Sequence, residues 1–223
     1  MLALPVIDAR GFRADPASPA GRRFVRALRD ACHGPGFCYL VGHGVAPRLD
    51  AAIMAGAARF FALPEAERHR IAIGNSPHFR GYTVLGDERT QGKSDWREQI
   101  DIGPEEPALR LRPGDPAYLR LRGPNQWPDD SYHLRTAAEE WMRAMHDVGL
   151  CVMRALALGL GQPADQFDDA ILPRPYPRLK IIRYPAQEAA HEDDQGVGLH
   201  HDSGLLSFIL QDDVGGLQVQ TES

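Results

Sequence analysis

The sequence has none of the features that mark a secreted, membrane-spanning or nucleic-acid-binding protein. Its first residues, MLALPVIDARGF, do not place a basic segment before an apolar one and so predict no signal peptide. No apolar run approaches the roughly 20 residues that a transmembrane helix needs. Acidic residues outnumber basic ones, 30 to 25, and the net charge of −5 argues against a nucleic-acid partner. We therefore expect a cytoplasmic protein without a membrane partner.

Cysteine is scarce as well. The three cysteines, Cys32, Cys38 and Cys151, form an odd number, and their spacing matches no zinc-binding template. Cys32 and Cys38 stand in apolar surroundings, which favours buried, reduced thiols. The sequence therefore predicts neither a disulfide framework nor a cysteine-based metal site.

Hydrophobic periodicity predicts helices in the first two thirds of the chain and strands near its end. Helices are expected to begin near Gly21, after Pro47 and at Ser131, which would cap the longest of them. Between Pro77 and Pro128 the frequent glycine, proline and arginine predict loops. The predicted strands are LPVID, GFCYLVGHG, LKIIRYP, LLSFILQ and LQVQ. This order predicts an α+β protein with a β core, and the core is unfinished because a jelly roll needs about eight strands.

The segment GVGLHHDSGLLSFILQ contains a candidate metal site. In a strand, residues two apart share a face, so His200 and Asp202 would point the same way and His201 the other way. Two histidines and a carboxylate form the facial triad of non-haem Fe(II) oxygenases. A single His-x-Asp pair is weak evidence, since it also arises by chance in surface turns.

Several motifs in the same order resemble the isopenicillin N synthase-like family of 2-oxoglutarate- and Fe(II)-dependent oxygenases. LRDACHGPGFCYLVGHGV is similar to the helix-strand signature of that family, and ARFFALPEAER to the helix after it. FRGYTVLGDERTQGKSDWREQIDIG resembles its glycine-tyrosine loop followed by an acidic strand, and LKIIRYP and GVGLHHDSGLLSFILQDDVGGLQV resemble two core strands. The loop is closer to bacterial members, including the ethylene-forming enzyme.

The resemblance implies an N-terminal helical region followed by a double-stranded β-helix, or jelly-roll, core. Residues 1–120 would form the N-terminal region of helices and edge strands. Residues 121–223 would hold a bridging helix and the first part of the core, apparently truncated at its C-terminal end. The resemblance also implies Fe(II) at His200 and Asp202, 2-oxoglutarate as co-substrate, O₂, and a small organic substrate. Tyr184 matches a position that assists 2-oxoglutarate binding, whereas Ile182 stands where plant members carry an asparagine.

The family also needs a second ligand histidine and an Arg-x-Ser beyond the aspartate, and the sequence ends at Ser223 before either. His191 lies in a polar stretch and does not replace the histidine by spacing. We favour a fragment of a longer enzyme over a naturally shortened product, because a half-built β core leaves unpaired strand edges. Two rivals remain: a non-catalytic remnant that acts as a binding module, and an Fe(II)/O₂ oxidase that does not use 2-oxoglutarate.

The long loop from Gly81 to Asp101 is the candidate substrate-binding segment. Long, charged loops on a rigid scaffold often carry function. Glu88 and Arg97 would contact a polar substrate, and Tyr82 would provide an aromatic wall. The alternative is that both charges are solvated.

Overall fold

The computed structural model describes residues 3–129, 133–186 and 195–220. The protein mixes helix and sheet, as predicted. In chain order the elements are β1 (Val6–Asp8), α1 (Arg10–Ala14), α2 (Pro19–His33), β2 (Tyr39–Val41), α3 (Pro47–Phe61), α4 (Glu65–His69), β3 (Gly81–Thr83), β4 (Arg89–Thr90), β5 (Lys93–Ser94), β6 (Glu98–Ile102), α5 (Leu134–Gly159), α6 (Asp168–Ile171) and β7 (Leu179–Arg183). The described helices are all too short or too polar to cross a membrane.

The chain forms two compact units, each built from segments that are distant in sequence. The first consists of Met1–Asp50, Arg143–Pro175 and Phe208–Ser223, and the second of Ala51–Met142 and Tyr176–Ser207. The predicted site residues all belong to the second unit.

In the first unit, α2 packs its apolar stripe against α1 and β1, and β1 pairs in parallel with β2. The ring centroids of Phe12 and Phe24 lie 5.3 Å apart, and Leu28 is buried beside them on the same stripe. Cys32 lies outside this stripe and is exposed, so the prediction of a buried thiol at this position is wrong. Cys38 and Cys151 are partly buried, and burial raises the pKa of both thiols.

The second unit contains an antiparallel sheet in the order β3-β6-β7 and a separate hairpin of β4 and β5. Thr83 pairs with Gln99 across β3 and β6, and Gln99 pairs with Ile182 across β6 and β7. Every residue of β6 is buried, although Glu98, Gln99 and Asp101 are polar. The buried charges of Glu98 and Asp101 need partners, and three arginines and one lysine from other segments provide them.

Two regions differ from the expectation based on composition and periodicity. The stretch from Pro77 to Pro128 is not all loop, since it holds β3 to β6; the resemblance correctly indicated the acidic strand at β6. LLSFILQ and LQVQ are not strands, because no residue of 195–220 lies in a helix or strand. A strand requires a hydrogen-bonded neighbour. The apolar side chains of Leu205 and Ile209 are 76% and 61% exposed instead.

The other predicted elements are confirmed. The strands in LPVID, GFCYLVGHG and LKIIRYP are β1, β2 and β7, and the three predicted helices are α2, α3 and α5. The predicted cap of α5, Ser131, lies outside the described residues, as does His191.

Candidate functional site

His200 and Asp202 lie side by side in a segment without regular secondary structure. His200 Nε2 is 3.2 Å from Asp202 Oδ1, and the two side chains are 46% and 53% exposed. The strand that should have placed them on one face is absent from this segment, but the two side chains meet nevertheless. Their contact comes from the local path of the backbone, not from strand alternation.

The backbone also orients the imidazole. His200 Nδ1 lies 2.8 Å from the carbonyl oxygen of Gly198. Because a carbonyl oxygen only accepts hydrogen bonds, Nδ1 carries the proton and donates it. In the neutral ring, Nε2 then presents its lone pair on the side of Asp202, which is the usual arrangement of a metal-binding histidine.

This geometry fits two neighbouring ligands of one metal ion. Donor atoms held at right angles, each roughly 2.1 Å from an ion, are about 3 Å apart. The 3.2 Å between Nε2 and Oδ1 is close to that separation. Among the described residues, no group of three or more His, Cys, Asp or Glu side chains is arranged to hold a metal. As metal ligands the two side chains would form only a partial set, and a direct His200–Asp202 ion pair is the alternative interpretation of the same contact.

Tyr184 lies next to the segment that carries this pair. A Cβ placed on Gly196 would stand 3.1 Å from the Tyr184 ring, so the ring packs against the backbone at that glycine. The carbonyl oxygen of Pro185 accepts a hydrogen bond from Trp96 Nε1 at 3.1 Å. Tyr184 is 50% exposed and follows β7. The structure thus brings Tyr184 to the segment of His200.

Glu88 and Arg97 are not solvated charges. The Glu88 side chain is 23% exposed, and its Oε1 accepts a hydrogen bond from Gln99 Nε2 at 3.1 Å. Arg97 is 8% exposed, lies 3.8 Å from Glu88 and forms an ion pair with Asp95 at 3.0 Å. Glu88 therefore retains a partly open face, whereas Arg97 is engaged inside the protein.

Tyr82 is almost fully buried, with 3% of its surface exposed. Its hydroxyl donates to Glu98 Oε2 at 2.5 Å. Burial and this hydrogen bond raise the pKa of Tyr82 well above its usual range. The structure accounts for this side chain as part of a buried polar cluster.

Sequence reasoning missed Asp95, which is completely buried between β5 and β6. Its carboxylate accepts hydrogen bonds from Thr90, Gln195 and Gly198 and forms an ion pair with Arg97. An aspartate directly after the glycine-containing hairpin RTQGKS is the signal that could have pointed to it. Two of the partners, Gln195 and Gly198, are about 100 residues away, which no local pattern shows.

Comparisons with known proteins agree with the family that the sequence motifs resemble. A family described as the N-terminal region of the non-haem dioxygenases in morphine synthesis matches residues 4–130. The 2-oxoglutarate-dependent dioxygenase frbJ of Dothideomycetidae sp. (strain 11243) is 37% identical over 97% of this chain and 58% of its own length. The homoarginine-6-hydroxylase 2-ODD-233 of Oryza sativa subsp. japonica is 34% identical over 99% of this chain and 70% of its own.

Solved structures show the same fold. A full-length Neurospora crassa protein in complex with α-KG and thymine aligns with a TM-score of 0.64 and 25% identity, over 82% of this chain and 56% of that one. A 2OG-Fe(II) oxygenase family protein from Caulobacter crescentus aligns with a TM-score of 0.60 and 22% identity, over 75% and 52% of the two chains. This chain thus spans between half and about two thirds of the length of these proteins. The family match over residues 4–130 and the relatives together show that the chain belongs to the 2-oxoglutarate- and Fe(II)-dependent non-haem dioxygenase family.

Proposed function

We propose that this chain is part of a 2-oxoglutarate-dependent Fe(II) dioxygenase, an oxidoreductase that couples oxidation of a small organic substrate to decarboxylation of 2-oxoglutarate. The observation that carries the proposal is the His200–Asp202 pair, with Nε2 and Oδ1 3.2 Å apart and His200 held in the Nδ1–H form by Gly198. In the balanced reaction, 2-oxoglutarate, O₂ and the substrate give succinate, CO₂ and the hydroxylated substrate.

His200 and Asp202 would hold the Fe(II) ion, which supplies the redox chemistry when it is bound. Tyr184 would help to hold 2-oxoglutarate, since its exposed ring lies against Gly196, four residues before His200. The protein's own contribution is to orient His200 through the Gly198 carbonyl and to keep the Asp202 oxygen beside Nε2.

The finer sequence predictions about this enzyme are part of the proposal. They are the boundary near residue 120, the N-terminal helical region followed by a jelly-roll core that continues past Ser223, and the similarity to bacterial members such as the ethylene-forming enzyme. The cytoplasmic location and the lack of a nucleic-acid partner also stay predictions. The named relatives given above are a fungal and a plant protein.

For the substrate, we propose a small polar molecule that Glu88 contacts. Glu88 is the partly exposed acid of the candidate loop, whereas the Tyr82 hydroxyl already contacts Glu98 and Arg97 Nη2 already contacts Asp95. Substrate roles for Tyr82 and Arg97 stay predictions. A carboxylate favours a basic group, and several relatives of 31 to 34% identity are named homoarginine-6-hydroxylases. Homoarginine is therefore the first substrate to test.

The test of the reaction is succinate release from 2-oxoglutarate in the presence of Fe(II), with and without homoarginine, using the longest natural form of the protein. We expect succinate that depends on both Fe(II) and 2-oxoglutarate. Substrate oxidation without succinate would favour the oxidase that does not use 2-oxoglutarate. No turnover together with no Fe(II) binding would favour the non-catalytic binding module.

The test of the ligands is anaerobic titration of the same protein with Mn(II). Asp202→Ala should lower the metal affinity strongly, because it removes one of the ligands. His201→Ala is the matched control and should change the affinity little. An unchanged affinity in Asp202→Ala, or a larger loss in His201→Ala, contradicts the assignment.

A further inference from the structure

Asp95 joins the hairpin of β4 and β5 to the segment that carries His200. Its Oδ2 accepts a hydrogen bond from Thr90 Oγ1 at 2.7 Å and pairs with Arg97 Nη2 at 3.0 Å. Its Oδ1 accepts from Gln195 Nε2 at 2.8 Å and from the backbone N–H of Gly198 at 3.2 Å. Oδ2 thus binds Thr90 of the hairpin and Arg97, whereas Oδ1 binds Gln195 and Gly198.

A continuous path of hydrogen bonds leads from Asp95 to the imidazole. The N–H of Gly198 donates a hydrogen bond to Asp95, and the carbonyl oxygen of Gly198 accepts a hydrogen bond from His200 Nδ1–H, with 2.8 Å between the oxygen and Nδ1. The position of Gly198 therefore sets the direction in which Nε2 of His200 points. Because residues 195–200 contain no helix or strand, no regular backbone ladder holds this glycine.

Other contacts dock the same segment on the hairpin. The N–H of Trp96 donates to the Gln195 carbonyl at 2.8 Å, and Gln91 Nε2 donates to the Leu199 carbonyl at 2.9 Å. Gly198 approaches Thr90 so closely that an added Cβ would stand 2.9 Å from the Thr90 Cβ. The docking is therefore specific in both hydrogen bonds and shape.

A buried carboxylate must satisfy the accepting sites of both oxygens, and the donors that it finds determine which segments it holds in place. Asp95 is completely buried, and its Oδ1 accepts both of its hydrogen bonds from residues 195–200, namely from Gln195 and Gly198. A buried acceptor of this kind orients the donors that it binds.

We propose that Asp95 is a positioning residue: through Gly198 it holds His200 in the Nδ1–H form with Nε2 directed toward Asp202. Asp95 does not touch the metal. The inference rests on the proposed role of His200 as a ligand, but the orientation of the ring is measurable without any metal.

The experiment compares Asp95→Asn with Glu98→Gln in the longest natural form of the protein. Both changes remove one negative charge from a buried carboxylate; Glu98 is 3% exposed and bonds Tyr82, Arg68 and Arg183 instead. The first readout is the ¹⁵N NMR signature of the His200 ring, assigned with His200→Ala. The second is Mn(II) affinity, followed by water-proton relaxation, which also detects weak sites.

In Asp95→Asn we expect loss of the Nδ1–H form as the single ring tautomer and an affinity for Mn(II) lowered about 10- to 100-fold, as is usual for the outer partners of metal ligands. Glu98→Gln should lower stability and leave both readouts as in the wild type. Gly198→Ala keeps every charge, but its added methyl group would press against Thr90 and displace residue 198. If Asp95→Asn does not fold, Gly198→Ala takes its place and should show the same loss of the Nδ1–H form as the single tautomer of His200.

Wild-type ring signals and Mn(II) affinity in both Asp95→Asn and Gly198→Ala overturn the inference. Equal changes of the ring signals in Glu98→Gln also overturn it, because they would reflect general loss of stability. If His200→Ala leaves the Mn(II) affinity unchanged, the proposed metal site fails instead, and the ring signals still decide whether Asp95 orients His200.

Discussion

Glu98 is a charged residue in the middle of a sheet, with 3% of its surface exposed. Its carboxylate accepts hydrogen bonds from Tyr82 and Arg68 at 2.5 Å and from Arg183 at 3.0 Å. If one partner is removed from such a buried cluster, a charge stays buried without a counter-charge. The resulting loss of folding stability is larger than the stability that an exposed ion pair contributes. Single residues of β6 are thus held by partners that lie far away in sequence.

Tyr82→Phe tests this cluster. Below about pH 10 the tyrosine is protonated in the folded and the unfolded chain, so the loss is that of one hydrogen bond to a charged acceptor, about 1.5 kcal/mol. The raised pKa means that the folded protein keeps this proton at a pH where the unfolded chain releases it. The stability of the wild type therefore falls as the pH rises above about 10, and its advantage over Tyr82→Phe narrows.

The measurement is urea denaturation of both proteins between about pH 7 and 11, a range that spans the ordinary pKa of tyrosine. A difference in the free energy of unfolding that stays constant across this range would show that Tyr82 ionises in the folded protein as readily as in the unfolded chain.

Glu88→Gln tests the proposed contact with substrate. A charge-assisted hydrogen bond shielded from water should be worth on the order of 2 kcal/mol, so the variant should bind homoarginine about 30-fold more weakly. Turnover of 2-oxoglutarate without substrate should stay largely intact, because Glu88 does not contact His200 or Asp202. Isothermal titration and succinate assays measure the two quantities. Asp87→Asn, an exposed neighbour in the same loop, is the control.

Three outcomes are distinguishable for Glu88→Gln. If both quantities fall together, Glu88 supports the fold or the metal site. If neither changes, the substrate contacts other residues. Only a selective loss of substrate binding agrees with the proposal.

At the scale of the element, α2 is stabilised by a cap as well as by its apolar stripe. Ser18 Oγ accepts a hydrogen bond from the N–H of Gly21 at 2.9 Å, and Pro19 occupies the first helical turn, where its missing N–H costs nothing. The helix then runs to His33, and Gly34 follows directly after it. The periodicity of its apolar residues predicted this helix from near Gly21, and the Ser18 cap and Pro19 place its actual start two residues earlier.

Ser18→Ala should lower the free energy of unfolding by about 1 kcal/mol, because the N–H of Gly21 loses its partner. Ser18→Asp, which keeps an accepting oxygen, is the matched control and should restore most of that loss. Both are measured by chemical denaturation. A Ser18→Ala variant as stable as the wild type would mean that water replaces the cap without cost.

At the scale of the whole molecule, apolar side chains of residues 199–217 remain on the surface. Leu205 is 76% exposed, Ile209 61% and Val214 85%. Exposed apolar residues that follow one another in the chain favour association.

We therefore predict that residues 1–223, expressed alone, associate at micromolar concentration and bind Mn(II) weakly, since the described residues supply only a partial ligand set. Light scattering after gel filtration measures the association, and titration followed by water-proton relaxation measures the Mn(II) affinity. Replacing Leu205 and Ile209 by serine should shift the protein toward monomer. A monodisperse wild-type monomer with tight metal binding would contradict both parts.

Local sequence by itself determined the three longest helices. The periodicity of Phe24 and Leu28 predicted α2 to within two residues of its start at Pro19, because a helix forms its backbone hydrogen bonds within one segment. The spacing of His200 and Asp202 marked them as a pair, but the strand on which that expectation rested is not formed, and the local path of the backbone brings the two side chains together instead.

Only the tertiary structure decided the rest, because strands and buried charges depend on partners remote in sequence. Gln99 lies in a strand because β3 and β7 pair with β6 on both sides, whereas Leu205 does not, because no described segment pairs with it. Asp95 looks like a surface acid in the sequence and becomes completely buried because Gln195 and Gly198, about 100 residues away, donate to it. No local pattern contains that information, since the free energy of burying a charge is set by the donors that the fold brings to it.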